Sequence, residues 1–257
     1  MKYSLIVDLG NSQTELAVFD ENNLIDKIRF ETDKINSDYD NRKIKQFLSH
    51  LGIDGKDFEG GMIFSVVPHL TRLVQIILKG EIGIDIKAFD PKPVLASLKH
   101  DVDDPNEIGQ DLLADIVGAL HYYGAPVVVS DLGTVSKNLI IDKDGVFQGV
   151  SFFPGIKMNA NILSDMTAQL PVIKEVTKPD TYYGKNTIDA MRCGVYYCHL
   201  AAIRRFMDRT EEEFGYKFKR VVTGGNSYLL ADEFKGTAIV DQTLVLKGMH
   251  LIYKMQK

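Results

Sequence analysis

The feature that most constrains this chain is a repeat. Residues 4–20 read SLIVDLGNSQTELAVFD and residues 127–142 read VVVSDLGTVSKNLIID. In each copy an apolar run leads into Asp-Leu-Gly, then a short polar turn, then a second strand-like run. A short apolar run bounded by turn residues is the pattern of a strand buried on both faces. The first copy ends at Asp20-Glu21-Asn22-Asn23 and the second at Asp142-Lys143-Asp144-Gly145, both with hairpin-turn chemistry. Each half is therefore expected to open with a β-hairpin whose tip is a glycine loop just after an aspartate.

Strands and helices alternate through the rest. Ile44, Phe47, Leu48 and Leu51 share one helical face over residues 41–51, and Leu70 to Leu78 has the same spacing. Met62 to Val67 reads as a strand stopped by Pro68, Ile84 to Phe89 as a short strand, and Phe147 to Phe152 as a third strand after the second hairpin. Pro105 is expected to open a helix running to Tyr122. Residues 187–214 read as one or two helices ending near Gly215. Arg220 to Thr223 reads as a strand entering Gly224-Gly225, and Ser227 to Ala231 as the start of a helix. The matching orders predict two α/β domains, 1–116 and 117–257, with a cleft between them. No low-complexity linker separates them, so hinge closure is expected.

Three segments carry residue types suited to chemistry. In Asp8-Leu9-Gly10-Asn11-Ser12 the glycine lets backbone N–H groups face an anion, Asn and Ser add donors, and the aspartate can hold a hydrated Mg²⁺. One such motif alone reads as a hairpin without a ligand; two in corresponding positions favour phosphate. Thr223-Gly224-Gly225-Asn226 would let a nucleotide approach the backbone, although a Gly-Gly turn is common. Asp111 in Gly109-Gln110-Asp111 suits a general base toward a hydroxyl, but residue types alone favour a solvated helix face shared with Asp104, Glu107 and Asp115. Pro154-Gly155, Leu170-Pro171 and Gly184-Lys185-Asn186-Thr187 read as turns and a helix start.

Composition closes off other classes. The net charge is −5 with no basic block, which argues against nucleic acid. Six scattered histidines argue against a zinc site, and Cys193 and Cys198 read as buried free thiols. No apolar segment is long enough to span a membrane. The run Tyr3 to Val7 is too short for a signal peptide, so a cytoplasmic location is expected.

Taken in order, the motifs resemble the type III pantothenate kinase family of the acetate and sugar kinase, chaperone ATPase and actin superfamily. They are Asp8-Leu9-Gly10-Asn11-Ser12, Ser65-Val66-Val67-Pro68, Pro105 followed by Gly109-Gln110-Asp111, Asp131-Leu132-Gly133-Thr134, Pro154-Gly155, Leu170-Pro171, Gly184-Lys185-Asn186-Thr187 and Thr223-Gly224-Gly225. The resemblance implies two ribonuclease H-like domains and ATP-dependent phosphorylation of pantothenate, the first step of coenzyme A synthesis. It also implies a homodimer, Mg²⁺ and a monovalent cation, K⁺ or NH₄⁺. By the same resemblance Asp8 organises metal and phosphate, helped by Gly10, Asn11 and Ser12. Asp111 takes the proton from the pantothenate hydroxyl. Asp131, Gly133 and Thr134 form the second phosphate loop, with Asp131 near the monovalent cation. Asn11, Gly109 and Thr187 line the pantothenate site, Thr187 from the partner subunit. Gly224 and Gly225 face adenosine.

The chain departs from the family at four places. Leu112 stands where the family has an arginine expected to pair with the pantothenate carboxylate, and Val102 is the residue nearest to a missing aromatic. Thr134-Val135-Ser136-Lys137 replaces Thr-Ala-Thr-Thr, so that Lys137 either contacts phosphate or occupies the place of the monovalent cation. Ser12 replaces threonine and keeps the hydroxyl. Three readings stay open: a pantothenate kinase, a regulatory or accessory homologue without activity, and a kinase of another small hydroxylated substrate.

Overall fold

The computed structural model describes residues 2–32 and 38–257. By contact the chain divides into two compact units, one of Met1–Ser97, Asp104–Gly118 and Val245–Lys257, the other of Leu98–Asp103 and Ala119–Leu244. The C-terminal residues belong with the first unit, a return that sequence periodicity did not signal.

The first unit holds a five-stranded sheet. Its strands are β1 (Tyr3–Leu9), β2 (Gln13–Phe19), β3 (Leu24–Glu31), β4 (Phe58–Ser65) and β5 (Ile86–Ala88), in the order β3-β2-β1-β4-β5. β1 and β2 form the expected hairpin, β3 adds an antiparallel edge, and β4 and β5 run parallel to β1. The core strand reads as apolar on both faces because it is buried on both: Leu5, Ile6, Val7 and Leu9 are all fully buried. Leu5, Val7 and Leu9 pack with Leu16, Val18, Ile44, Leu48 and Val74, which brings helices α1 (Asp38–His50) and α2 (Pro68–Ile77) onto one face. Each such side chain contributes roughly 1.5–3 kcal/mol when removed from water.

Residues expected to form one helix from Pro105 form two pieces. Pro105–Glu107 is a single 3₁₀ turn, with the Asp104 side chain accepting from Asn106 N–H, and the α-helix proper, α4, is Gln110–Tyr122. Gly109 lies between them. A Cβ there would come within 2.8 Å of Asp111 Oδ1. A short helix α3 (Lys92–Ser97) precedes this segment. The last helix, α7 (Leu244–Gln256), crosses α4 so closely that a Cβ on Gly248 would lie 1.9 Å from the Ala114 carbonyl oxygen. His250 of α7 stacks on Phe19 at 4.2 Å, and Lys254 Nζ donates to the Glu21 carbonyl at 2.9 Å.

The second unit repeats the same sheet. Its strands are β6 (Val127–Leu132), β7 (Val135–Ile141), β8 (Phe147–Pro154), β9 (Lys219–Thr223) and β10 (Ile239–Val240), in the order β10-β9-β6-β7-β8. Read from the opposite edge, this is the order of the first sheet. β6, β7 and β8 are antiparallel in succession, and β9 and β10 are parallel to β6. The duplication seen in Asp-Leu-Gly therefore extends to five strands. Helices α5 (Ile156–Asp165) and α6 (Thr187–Phe214) pack on this sheet. α6 is one 28-residue helix. Asn186 caps its start by accepting from Asp189 N–H at 3.0 Å, and Gly215 ends it in the left-handed region at φ 73°. Met191, Val195, Leu200, Ile203 and Met207 give it a buried stripe. Ser227–Leu229 and Ala231–Phe234 are 3₁₀ turns, shorter than the helix expected there, since their bonds span only three residues.

Candidate functional site

In the first unit several candidate residues lie at the carboxyl ends of β1 and β4. This is the end where open α/β sheets bind ligands. Asp8 is half-buried, Leu9 is buried, and Asn11 and Ser12 are exposed at the hairpin tip. The tip is tightly built. Gly10 N–H donates to the Gln13 carbonyl at 3.1 Å, and a Cβ on Gly10 would meet that oxygen at 2.8 Å. Thr32 closes it from the side, with its hydroxyl donating to the Gly10 carbonyl at 2.7 Å and its N–H to the Ser12 carbonyl at 3.1 Å.

α4 is fastened to the same edge. Gln110 Oε1 accepts from Ser65 N–H at 2.9 Å, at the end of β4, and Ser65 is the register partner of Leu9. Val66 N–H donates to the Leu9 carbonyl at 3.1 Å. Asp111, the next residue, sits in the first turn of α4, where the helix dipole favours negative charge. Its Oδ1 accepts from the Leu112 N–H at 2.9 Å. The structure thus places Asp8, Asn11, Gly109 and Asp111 on one edge of one sheet. Leu112, in contrast, is 4% exposed and packs into the core.

The second unit brings three sequence motifs together. Asn226 N–H donates to the Leu132 carbonyl at 2.9 Å, and its side-chain amide to the Gly133 carbonyl at 3.0 Å. Gly155 N–H donates to the Thr134 carbonyl at 3.0 Å. A Cβ on Gly155 would lie 2.3 Å from that oxygen. Gly224 adopts φ 91°, and a Cβ there would meet Asp131 Oδ1 at 2.1 Å and Leu132 N at 2.5 Å. The second Asp-Leu-Gly loop is therefore clamped between Pro154-Gly155 and Gly224-Gly225-Asn226. Neither Asn226 nor Gly155 has a specific role in the sequence motifs that contain it. Their sequence signals, a Gly-Gly-Asn and a Pro-Gly, also fit plain turns, and only the long-range bonds distinguish them.

Asp131 is 4% exposed, and its Oδ2 lies 2.6 Å from Lys137 Nζ. Lys137 is its register partner on β7. Next to it, Ser136 Oγ lies 3.1 Å from His199 Nε2 of α6. Burial lowers the His199 pKa to about 4, so this imidazole is neutral near pH 7. In the first hairpin the register partner of Asp8 is Glu15, which pairs with Lys27 at 3.3 Å and with Arg29.

Thr187 is exposed at the first turn of α6, in the second unit. It borders a groove of about 780 Å³ between α5 and α6, with Ile162, Leu163, Leu170, Met191 and Cys198 along its walls. Cys198 is exposed, unlike the buried thiol expected; its position on α6 turns it outward while Cys193 faces Thr181. Among the described residues no three His, Cys, Asp or Glu side chains gather as a ready-made metal cage. No helix among them is long and apolar enough to cross a membrane.

Several solved structures share this architecture. A conserved protein assigned to the Baf family of transcriptional activators, from Campylobacter jejuni, is 22% identical with a TM-score of 0.59, over 98% of both chains. Component A of the (R)-2-hydroxyglutaryl-CoA dehydratase of Acidaminococcus fermentans is 13% identical with a TM-score of 0.53, over all of both chains. A 2-dehydro-3-deoxygalactonokinase-type protein from Sinorhizobium meliloti is 13% identical with a TM-score of 0.54, over 98% of this chain and 96% of that one. At such identities the likeness is one of fold, that of the actin-like ATPases and sugar kinases. The family model for type III pantothenate kinase matches residues 4–209. With that stretch of its 257 residues accounted for, the chain belongs to the type III pantothenate kinase family.

Proposed function

We propose that the protein transfers the γ-phosphoryl group of ATP to the hydroxyl of pantothenate, giving 4′-phosphopantothenate for coenzyme A synthesis. The observation that carries this reading is the duplicated Asp-Leu-Gly hairpin, present at the same place in two sheets of identical strand order. Membership of a kinase family supports ATP and a small-molecule substrate.

Phosphoryl transfer needs positioning and charge neutralisation more than covalent help from the protein. The N–H, amide and hydroxyl groups of the exposed Asn11 and Ser12, at the turn that Gly10 makes possible, suit phosphate oxygens, as do those of Gly133 and Thr134. Gly225, half-buried, can face the adenosine, with the buried Gly224 beneath it against Asp131. Asp111 is the base for the substrate hydroxyl, held at the strand ends by the Gln110–Ser65 bond. Asn11 and Gly109 complete the substrate contacts of this chain, and a second copy of the chain supplies Thr187.

The residues fit Mg²⁺ at Asp8, which is half-buried at the end of β1 with Glu15 as its register partner. Mg²⁺ is commonly held by one or two carboxylates together with substrate phosphates, and it would neutralise phosphate charge there. The exposed apolar side chains Ile162, Met166, Val172, Tyr182, Tyr183 and Ile188, on α5, the loop after it and the start of α6, favour a homodimer formed through this face. A cytoplasmic location accords with this role.

One observation favours a second reading, a nucleotide-binding regulatory homologue. Leu112 occupies the position of the expected carboxylate-binding arginine and is buried in the core. The relative from Campylobacter jejuni is itself described as a transcriptional activator. An ADP-release assay with ATP, Mg²⁺ and pantothenate separates the two. Turnover supports the kinase. ATP binding without turnover at millimolar pantothenate supports the regulator, or a kinase of another hydroxylated substrate.

A further inference from the structure

The two hairpins differ at one position of the same cross-strand row. Asp8 has Glu15 opposite it, whereas Asp131 has Lys137. Directly opposed residues on antiparallel strands project from the same face. Glu15 draws its cations from β3, one strand further out. Asp131 meets its cation on the hairpin itself: Lys137 Nζ lies 2.6 Å from Oδ2, with the two side chains 9% and 6% exposed.

A carboxylate this deeply buried needs a positive charge in contact with it. An inorganic cation would satisfy the same requirement. Its surroundings make the seat specific. Gly224 packs its backbone against Asp131 Oδ1. Thr223, the register partner of Asp131 on parallel β9, is fully buried, and its hydroxyl has no hydrogen-bond partner among the described residues. The row Thr223, Asp131, Lys137 thus holds an oxygen donor, an anion and a covalently attached ammonium side by side.

We propose that Lys137 is a tethered cation that takes the place of an inorganic ion on Asp131, so that the second hairpin receives nucleotide phosphate with no metal or monovalent ion bound there. The first hairpin, with two opposed carboxylates, keeps the divalent ion. The proposal rests on the phosphate-loop reading, but part of its test is independent of nucleotide.

The experiment compares wild type, Lys137→Ala and the double variant Asp131→Asn with Lys137→Met in potassium, ammonium and tetramethylammonium chloride at equal ionic strength. The readouts are the thermal midpoint and the Kd of ATP·Mg²⁺ by calorimetry. The wild-type midpoint is expected to agree within about 1 °C across the salts, and Kd within about twofold. Lys137→Ala is expected to unfold at lower temperature in tetramethylammonium and to regain at least about half of that loss in potassium or ammonium, which fit the vacated space. The double variant, with neither charge, is expected to fold without dependence on the cation.

A wild type whose midpoint moves by more than about 3 °C or whose Kd moves by more than about fivefold between salts overturns the proposal. So does a Lys137→Ala that is equally stable in all three. If Lys137→Ala folds in none, the other two proteins decide, and a cation-dependent double variant overturns the proposal. Absence of ATP binding in every salt removes the nucleotide reading alone, and the midpoints still judge the tethered cation.

Discussion

Gly224 offers the most direct test of how the second loop is built. Replacing it with alanine adds one methyl group at φ 91°, a conformation that costs an L-residue about 1–2 kcal/mol. The methyl carbon would stand 2.1 Å from Asp131 Oδ1, 2.5 Å from Leu132 N and 2.8 Å from Leu132 C. Those backbone atoms cannot retreat easily, because Leu132 ends a strand and its carbonyl is bound by Asn226. Relief must come from the Asp131 carboxylate, and moving it breaks the buried pair with Lys137. Breaking such a pair costs about 3–5 kcal/mol. Together the two terms predict a loss of about 4–7 kcal/mol, or roughly 8–28 °C in Tm at about 2–4 °C per kcal/mol. Thermal unfolding by circular dichroism measures it, with Gly194→Ala as control. Gly194 lies in α6 with open space around its Cβ position, and alanine there is expected to stabilise by about 0.5–1 kcal/mol. A Gly224→Ala protein within 2 °C of wild type would refute the claim that this glycine seats Asp131.

Three further outcomes are expected. Asp111→Asn lowers kcat for pantothenate phosphorylation by at least about 10²-fold while leaving Tm unchanged, and an unaffected rate removes Asp111 from the chemistry. Burial lowers His199 and His250 to about 4, so protonation favours the unfolded chain; stability is complete above pH ~6.5 and falls as pH drops toward ~4. For His199 the loss reaches about 3 kcal/mol, and denaturant titrations from pH 7 to 4 should show a shallower decline in His199→Gln. Leu112→Arg forces a guanidinium into a position 4% exposed and is expected to destabilise by about 3 kcal/mol or more. A stable Leu112→Arg with a lower KM for pantothenate would show instead that this position opens onto the substrate.

Sequence patterns disclose the hairpins because their central strands are buried on both faces, which leaves Leu5-Ile6-Val7 and Val127-Val128-Val129 as unbroken apolar runs. β3 escaped notice because it is an edge strand: Asp26, Lys27 and Arg29 break its apolar sequence. α7 escaped because Gly248 stands in its middle, where a glycine argues against a helix. That glycine is required by the Ala114 carbonyl, a contact with a residue far away in the chain. The same distinction runs through the candidate site. Asp8 and Asp131 are marked by local motifs. Asp111 resembles the solvated Asp104 and Glu107 until the Gln110 bond to Ser65 fixes it at the strand ends, and Asp115, expected on the same solvated face, is instead fully buried. Asn226 is an ordinary turn residue until its amide is seen holding Gly133. The fate of Lys137 was visible only as two alternatives, and its contact with Asp131 supports the cation-replacing one.

The return of α7 to the first unit has a consequence for how the protein is made. A chain emerging from the ribosome exposes Phe19 and the Ala114 turn of α4 long before His250 and Gly248 exist to cover them. The second unit, whose residues lie between 98 and 244, has all its parts in hand first. The unit begun earliest thus receives its α7 last, and a chain cut after residue 244 would carry every segment of the second unit together with an uncapped first one.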